Sequence, residues 1–237
     1  MIEGYIHGPQ SCRACFNGAD ETLVLDEWRL HNNPSYSGST DPEIIVLGFS
    51  KGANQNKVAQ QGNFDKVAFA NARHRLQAVL KTLKIMPSDR SIDALMTAQE
   101  KEFGVASLVR CSFCKMKDGV CKTSGDVIPS AFSNVSTLKI IERCASTFLV
   151  KLPKKVKLVV LLGTSDSYIK KTKQIFSGLY SDFSPINDCA FRAGGTLWVY
   201  AAHPSPGNGH FDSWVSAGID NSSGKKRDLA LKALGHA

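Results

Sequence analysis

The sequence predicts one α/β domain spanning residues 1–237, a doubly wound and mostly parallel central sheet flanked by helices. Three observations predict it. Short apolar runs closed by glycine, at 43–48 and 156–163, have the composition of strands buried on both faces. Stretches with apolar residues at helical spacing follow them, so strand and helix alternate. A chain of 237 residues, 43% hydrophobic, is long enough for one full core and too short for two comfortable ones.

The elements follow in order. The run 43–48 ends at Gly48 and delivers the chain into a ligand loop from Phe49 to Asn56. Val67, Ala70, Leu76, Val79, Leu80 and Leu83 recur at helical spacing, predicting a helix over 67–83. A second strand is expected at 105–111. Leu138, Ile141, Cys144, Phe148 and Leu149 fall on one face of a helix over 136–152. The clearest strand, 156–163, runs into Thr164, Ser165 and Asp166, N-cap chemistry for a helix to about Gly178. A last strand at 196–202 carries Val199 and Tyr200, and a basic helix at 225–234 closes the chain. The polar segments 32–40 and 115–134 read as long loops, and 181–195 fits neither period. In a doubly wound sheet the ligand crevice lies beyond the carboxyl ends of the strands, where the Gly48 loop, the Ser107 to Cys111 strand end and the His203 loop should converge.

Twenty-nine basic residues against 21 acidic ones give a net charge of +8, which favours a polyanionic partner, with nucleic acid first. No apolar run of about 18 residues is present, and the first residues lack the basic-then-apolar layout of a secretory leader. The expectation is a cytoplasmic protein with no membrane partner.

Seven cysteines are an odd number for a disulfide framework, and in a reducing compartment clustered cysteines serve more often as metal ligands or core residues. Cys12 and Cys15 form one C-x-x-C, and Cys111 and Cys114 a second. The two pairs suit a tetrahedral zinc knuckle. Four thiolates at wider, irregular spacing suit an iron–sulfur cluster instead.

The most informative segment follows the last strand: His203, Pro204, Ser205, Pro206, Gly207, Asn208, Gly209, His210, Phe211. Two prolines stiffen the loop, the glycines let backbone approach a ligand closely, and His203 stands at its mouth as a proton donor or electrophile. Ser205 and Asn208 offer neutral donors suited to phosphate oxygens.

Together these loops resemble the uracil-DNA glycosylase superfamily. Gly48, Phe49, Ser50, Lys51 and Gly52 look like its first motif, Gly-x-(Asp/Asn/Ala)-Pro-Gly, and His203-Pro204-Ser205 looks like its second. The cysteines resemble those of its iron–sulfur branch, usually called family 4. On that resemblance the ligands of a [4Fe-4S] cluster, with zinc as the alternative, are Cys12, Cys15, Cys111 and Cys144. The cluster would tie residues 1–42 to the sheet. Cys114 and Cys121 remain spare thiols that could replace an assigned ligand, and Cys189 reads as a core or loop cysteine.

The resemblance implies a monomeric enzyme that hydrolyses the bond between deoxyribose and an abnormal base in DNA, uracil or a modified base, with no nucleotide cofactor. His203 would face the negative charge on the departing base. Ser50, where many relatives place Asp or Asn, would orient water, assisted by the amide of Asn54 or Asn56. Gly48, Phe49, Phe69 and Ser107 would line the base pocket, with Phe69 stacking and Phe64 in reserve. Lys51, Ser205, Gly207, Asn208 and His210 would contact DNA, while Lys225, Lys226 and Arg227 read as a solvated helix end. Ser107 replaces an asparagine that reads uracil in many relatives, and the smaller side chain leaves room for a bulkier base. A non-catalytic DNA-binding or damage-sensing protein on the same fold is the reading from another class.

Overall fold

A computed structural model gives the fold and describes residues 4–123 and 127–236. In chain order the first strands are β1 (Gly8–Pro9), β2 (Thr22–Leu25), β3 (Trp28–His31), β4 (Ser35–Gly38) and β5 (Ile44–Gly48), followed by helices α1 (Ala53–Ala59) and α2 (Arg73–Thr82). Next come β6 (Phe103–Ser107), β7 (Ser112–Lys117), β8 (Val120–Lys122), α3 (Val127–Ser133), α4 (Val135–Phe148), β9 (Leu158–Leu162) and α5 (Asp166–Leu179). The chain closes with β10 (Ser184–Asn187), β11 (Ala190–Ala193), β12 (Thr196–Ala201), α6 (Phe211–Ser216) and α7 (Ser222–Ala233).

Eight strands form one mixed sheet in the order β1-β4-β6-β5-β9-β12-β11-β10, and β2-β3-β7-β8 form a second, smaller one. The apolar runs read from the sequence supply the centre of the large sheet, where β6, β5, β9 and β12 are mutually parallel. Ile45, Val46, Leu47, Val159, Val160 and Leu161 are wholly inaccessible. Burying each such side chain contributes about 1.5–3 kcal/mol, so these strands fix the core. Among the described residues no helix is long and apolar enough to cross a membrane.

The expectation of a mostly parallel sheet is corrected. Four of the seven pairings in the large sheet are antiparallel: β1 with β4, β4 with β6, β12 with β11, and β11 with β10. Both edges are built from segments that lack long apolar runs. The 181–195 stretch is a hairpin edge whose turn into β12 uses Gly194 and Gly195 at φ +61° and +70°, a conformation that suits a two-residue antiparallel turn. The Asp182 carboxylate accepts both glycine N–H groups at 2.8 and 3.1 Å.

Other boundaries differ for local reasons. The helix expected over 67–83 begins only at Arg73, because Phe69 and Asn71 sit at φ +51° and +65° and break the helical path. The helix expected over 136–152 begins one residue earlier and ends at Phe148, with Asn134 capping α4 by accepting the Thr137 N–H at 3.1 Å. Ser165 caps α5 through Tyr168 N–H at 3.4 Å, in line with the N-cap reading. The strand expected over 105–111 ends at Ser107, so Cys111 lies in the bend before β7. Neither supposed loop is one: residues 32–40 contain β4, and 115–134 contain the second half of β7 and all of β8 and α3.

Candidate active site

Parallel strands end at the same edge of a sheet, so β5, β6 and β12 bring their following loops together. There a cavity of about 540 Å³ opens, lined by Gly48, Ser50, Phe69, Ser107, His203 and Ser205 among others. Gly48 and Ser107 are register partners. A Cβ on Gly48 would lie 3.8 Å from both Phe69 Cζ and Ser107 Oγ, so the missing side chain keeps the cavity floor open. The left-handed turn at Phe69 aims its ring at the same place, 6.4 Å from the His203 ring centroid.

The geometry of the His203 loop fixes the state of the imidazole. Ser205 N–H donates to His203 Nδ1 at 3.1 Å, so Nδ1 carries no proton and the neutral ring holds its proton on Nε2. Burial in the cavity, with the Arg75 guanidinium as a second cause, pushes the His203 pKa down to about 4. At neutral pH this residue is therefore an uncharged hydrogen-bond donor. Arg75, which the sequence reading missed, straps the loop in place: it donates to the carbonyls of Ser205 at 2.8 Å and Asn208 at 3.5 Å, and lies 3.9 Å over the Phe211 ring. Phe211 is thereby anchored inward.

The structure separates the other sequence-derived residues. Ser50, Asn54, Gly207 and Asn208 line the cavity. Asn56 does not, because its side-chain Oδ1 accepts from Asn33 Nδ2 and Ser112 Oγ. Phe49 is corrected: its ring is buried against Phe113 and Phe132 and faces the core, not the cavity. Phe64 packs edge-on against His7, outside the lining. Lys51, expected on DNA, is instead 8% exposed in the cavity wall, where Nζ donates to Ser35 Oγ at 3.1 Å and burial lowers its pKa to about 8. A backbone bridge from Lys51 to Ser112 turns the chain inward there. Ser205 and Asn208 spend polar atoms on the loop itself: Ser205 Oγ accepts Gly207 N–H, and the Asn208 amide joins the His203 carbonyl to His210 N–H. His210 is exposed at the start of α6, away from the lining. Lys226 bonds to the Asp166 carboxylate, and Arg227 to that of Asp228, so these two tail cations are held by the protein's own carboxylates, while Lys225 is exposed. Ser35, Tyr36 and Ser37 of β4 also line the cavity, hidden in sequence because 32–40 reads as loop. No Asp or Glu does so among the described residues.

On the far side of Lys51, Cys12, Cys15, Cys111 and Cys144 line one small cavity of about 20 Å³, together with Arg110 and Arg143. Burial raises the thiols of Cys15, Cys111 and Cys144, to about 11 for Cys111 and about 12 for Cys144, and neighbouring cysteines add to each shift. The Arg110 backbone N–H donates to Cys144 Sγ at 3.3 Å. Its side chain is 1% exposed, is ringed by Tyr5, Tyr36 and Phe148, and has no hydrogen-bond partner for any of its three nitrogens. A buried cation without a counter-charge costs several kcal/mol. A metal held by thiolates would supply that charge, so the donor set fits an anionic metal–thiolate group. Arg143 ties α4 to the first C-x-x-C through the Ala14 carbonyl at 2.9 Å. Cys189 is buried in the core beside β11.

No family model and no curated protein matches the chain.

Proposed function

We propose that the protein is a DNA glycosylase on a doubly wound, uracil-DNA glycosylase-like fold, which hydrolyses the N-glycosidic bond of a modified base or uracil and leaves an abasic site. The observation that carries this reading is the neutral His203, its tautomer fixed by Ser205 N–H, at the wall of a cavity of about 540 Å³. Such a site receives a base taken out of the stack. The base packs against Phe69. As the glycosidic bond lengthens, electrons collect on the departing base, and His203 Nε2–H donates to that charge without having to shed a proton first. Ser50 and the Asn54 amide orient the attacking water from the loop after β5.

The size of the cavity favours a bulky modified base. Pockets of roughly 300–1,000 Å³ take ligands of drug size, and Ser35, Ser37, Ser50 and Ser107 line this one with short hydroxyl side chains. For the second cavity we favour a [4Fe-4S] cluster over zinc. A single tetrahedral zinc would draw its sulfurs to about 3.8 Å of one another. No three of Cys12, Cys15, Cys111 and Cys144 meet within 4.8 Å, unlike the one group among the described residues that does, His31 with Cys114 and Cys121. The cluster's role there is structural, tying the 12–15 segment to α4 and the sheet.

Alkali-labile site formation on a DNA panel carrying uracil, hypoxanthine, unmodified bases or bulky modified cytosines tests the function. Cleavage of modified DNA and not of unmodified DNA is expected. Ser50, standing in the cavity wall where many members of the resembled superfamily carry Asp or Asn, favours one second reading, a non-catalytic DNA-binding protein, which predicts affinity for the panel with no cleavage of any member.

A further inference from the structure

We propose that His31, Cys114 and Cys121 form a second metal site, separate from the four-cysteine cavity, which takes one zinc-like divalent cation when both thiols are reduced. The site is independent of the glycosylase reading. Strand register assembles it. β3 pairs with β7 and β7 with β8, with Arg29 opposite Cys114, His31 opposite Ser112, and Met116 opposite Cys121. The two-residue period of a strand then puts His31, Cys114 and Cys121 on one face of the small sheet. Trp28, Leu30 and Phe113 take the other face and are buried in the core.

The ligand atoms of the three residues all lie within 4.8 Å of one another. Zinc bonds sulfur at about 2.3 Å and imidazole nitrogen at about 2.0 Å, so once the Cys114–Cys121 bond is reduced an ion would hold the two sulfurs about 3.8 Å apart, with the His31 imidazole already within 4.8 Å of both. Thr22 Oγ1 lies 3.1 Å from His31 Nδ1. Such a partner on one ring nitrogen orients an imidazole ligand and leaves Nε2 for the cation. Cys121 is exposed, so water reaches the fourth position.

In the structure these sulfurs are joined as the Cys114–Cys121 disulfide, with Cα atoms 5.6 Å apart, so neither is the spare thiol expected to replace a ligand of the four-cysteine cavity, and the metal-bound state is the reduced one. The two states exclude each other, which makes the ion thiol-gated. A small-molecule disulfide of the oxidised glutathione type converts one to the other. Both metal–sulfur bonds break and the Cys114–Cys121 bond forms. The two electrons pass to the reagent, whose sulfurs take up two protons and leave as thiols, and the cation is released.

Cobalt(II) titration of the reduced, full-length protein tests the proposal. It is done in a Cys12→Ser, Cys15→Ser background, which silences the other thiol cavity. Thiolate-to-cobalt absorption saturating at one equivalent is expected. It should vanish in Cys121→Ser, an exposed position on an edge strand, and on adding oxidised glutathione. His31→Ala should raise the half-saturating cobalt concentration by at least about tenfold. Absence of the band from the reduced background protein, or a band unchanged by both Cys121→Ser and His31→Ala, overturns the assignment.

Discussion

Replacing His203 by glutamine should make the fold less sensitive to acid. In the unfolded chain the imidazole titrates near 6.5, and in the folded cavity at about 4. Between those values the unfolded state binds the extra proton, so wild-type stability is complete above pH 6.5 and is lost progressively as the pH falls towards 4. The full separation of roughly 2.5 pH units corresponds to about 3.4 kcal/mol, of which about 2 kcal/mol is lost by pH 5. The cause is physical: a charged ring would be desolvated beside Arg75 and would have to give up the Ser205 N–H bond to Nδ1. Urea unfolding at pH 8 and pH 5, wild type beside His203→Gln, isolates the term, because every other acid-labile group is common to both proteins. Wild type should lose about 2 kcal/mol more than the variant across that interval. Equal losses would refute the buried, neutral imidazole.

Three further outcomes are expected. Arg75→Ala removes two hydrogen bonds to loop carbonyls and the contact over Phe211, and should cost about 1–3 kcal/mol in unfolding experiments while lowering base release. Gly48→Val puts a branched side chain on the cavity floor, where even a Cβ meets Phe69 and Ser107; steady-state kinetics should show a raised KM for bulky bases before uracil is affected. Arg110→Met removes the unpartnered buried cation: metal-depleted protein should gain about 1–4 kcal/mol, read by denaturant unfolding, while the iron retained per chain after purification falls.

The central strands and the convergence of their loops were legible in the sequence because continuous apolar runs leave no alternative to burial on both faces. Gly48, Ser107 and His203 meet in one cavity for that reason, and the four assigned cysteines meet in another. The edges were not legible. Ser35, Tyr36 and Ser37 form a strand although their composition is that of a loop, because backbone pairing to β6 on one side and β1 on the other holds them. The residue pattern alone could not assign Phe49 and Lys51 correctly, because side-chain direction in an irregular loop has no period. There the backbone bridge to Ser112 sends Lys51 inward, and the core takes Phe49. Phe69 was found by resemblance, while the helix proposed over 67–83 forms only from Arg73 to Thr82. The left-handed backbone at Phe69 keeps that helix from starting earlier and aims the ring, and nothing in its neighbours' hydrophobicity reports that. Arg75 was hidden because a cation on a helix face reads as solvated until a loop folds over it.

The most direct test is the appearance of free base, followed by mass spectrometry, from DNA carrying bulky modified cytosines or uracil, with wild type beside His203→Gln and DNA affinity measured for both. The account predicts base release by the wild type, its loss in the variant by at least about a hundredfold, and near-equal affinity. Release that survives in His203→Gln would contradict the role of the imidazole, and binding with no release by either protein would contradict the enzyme.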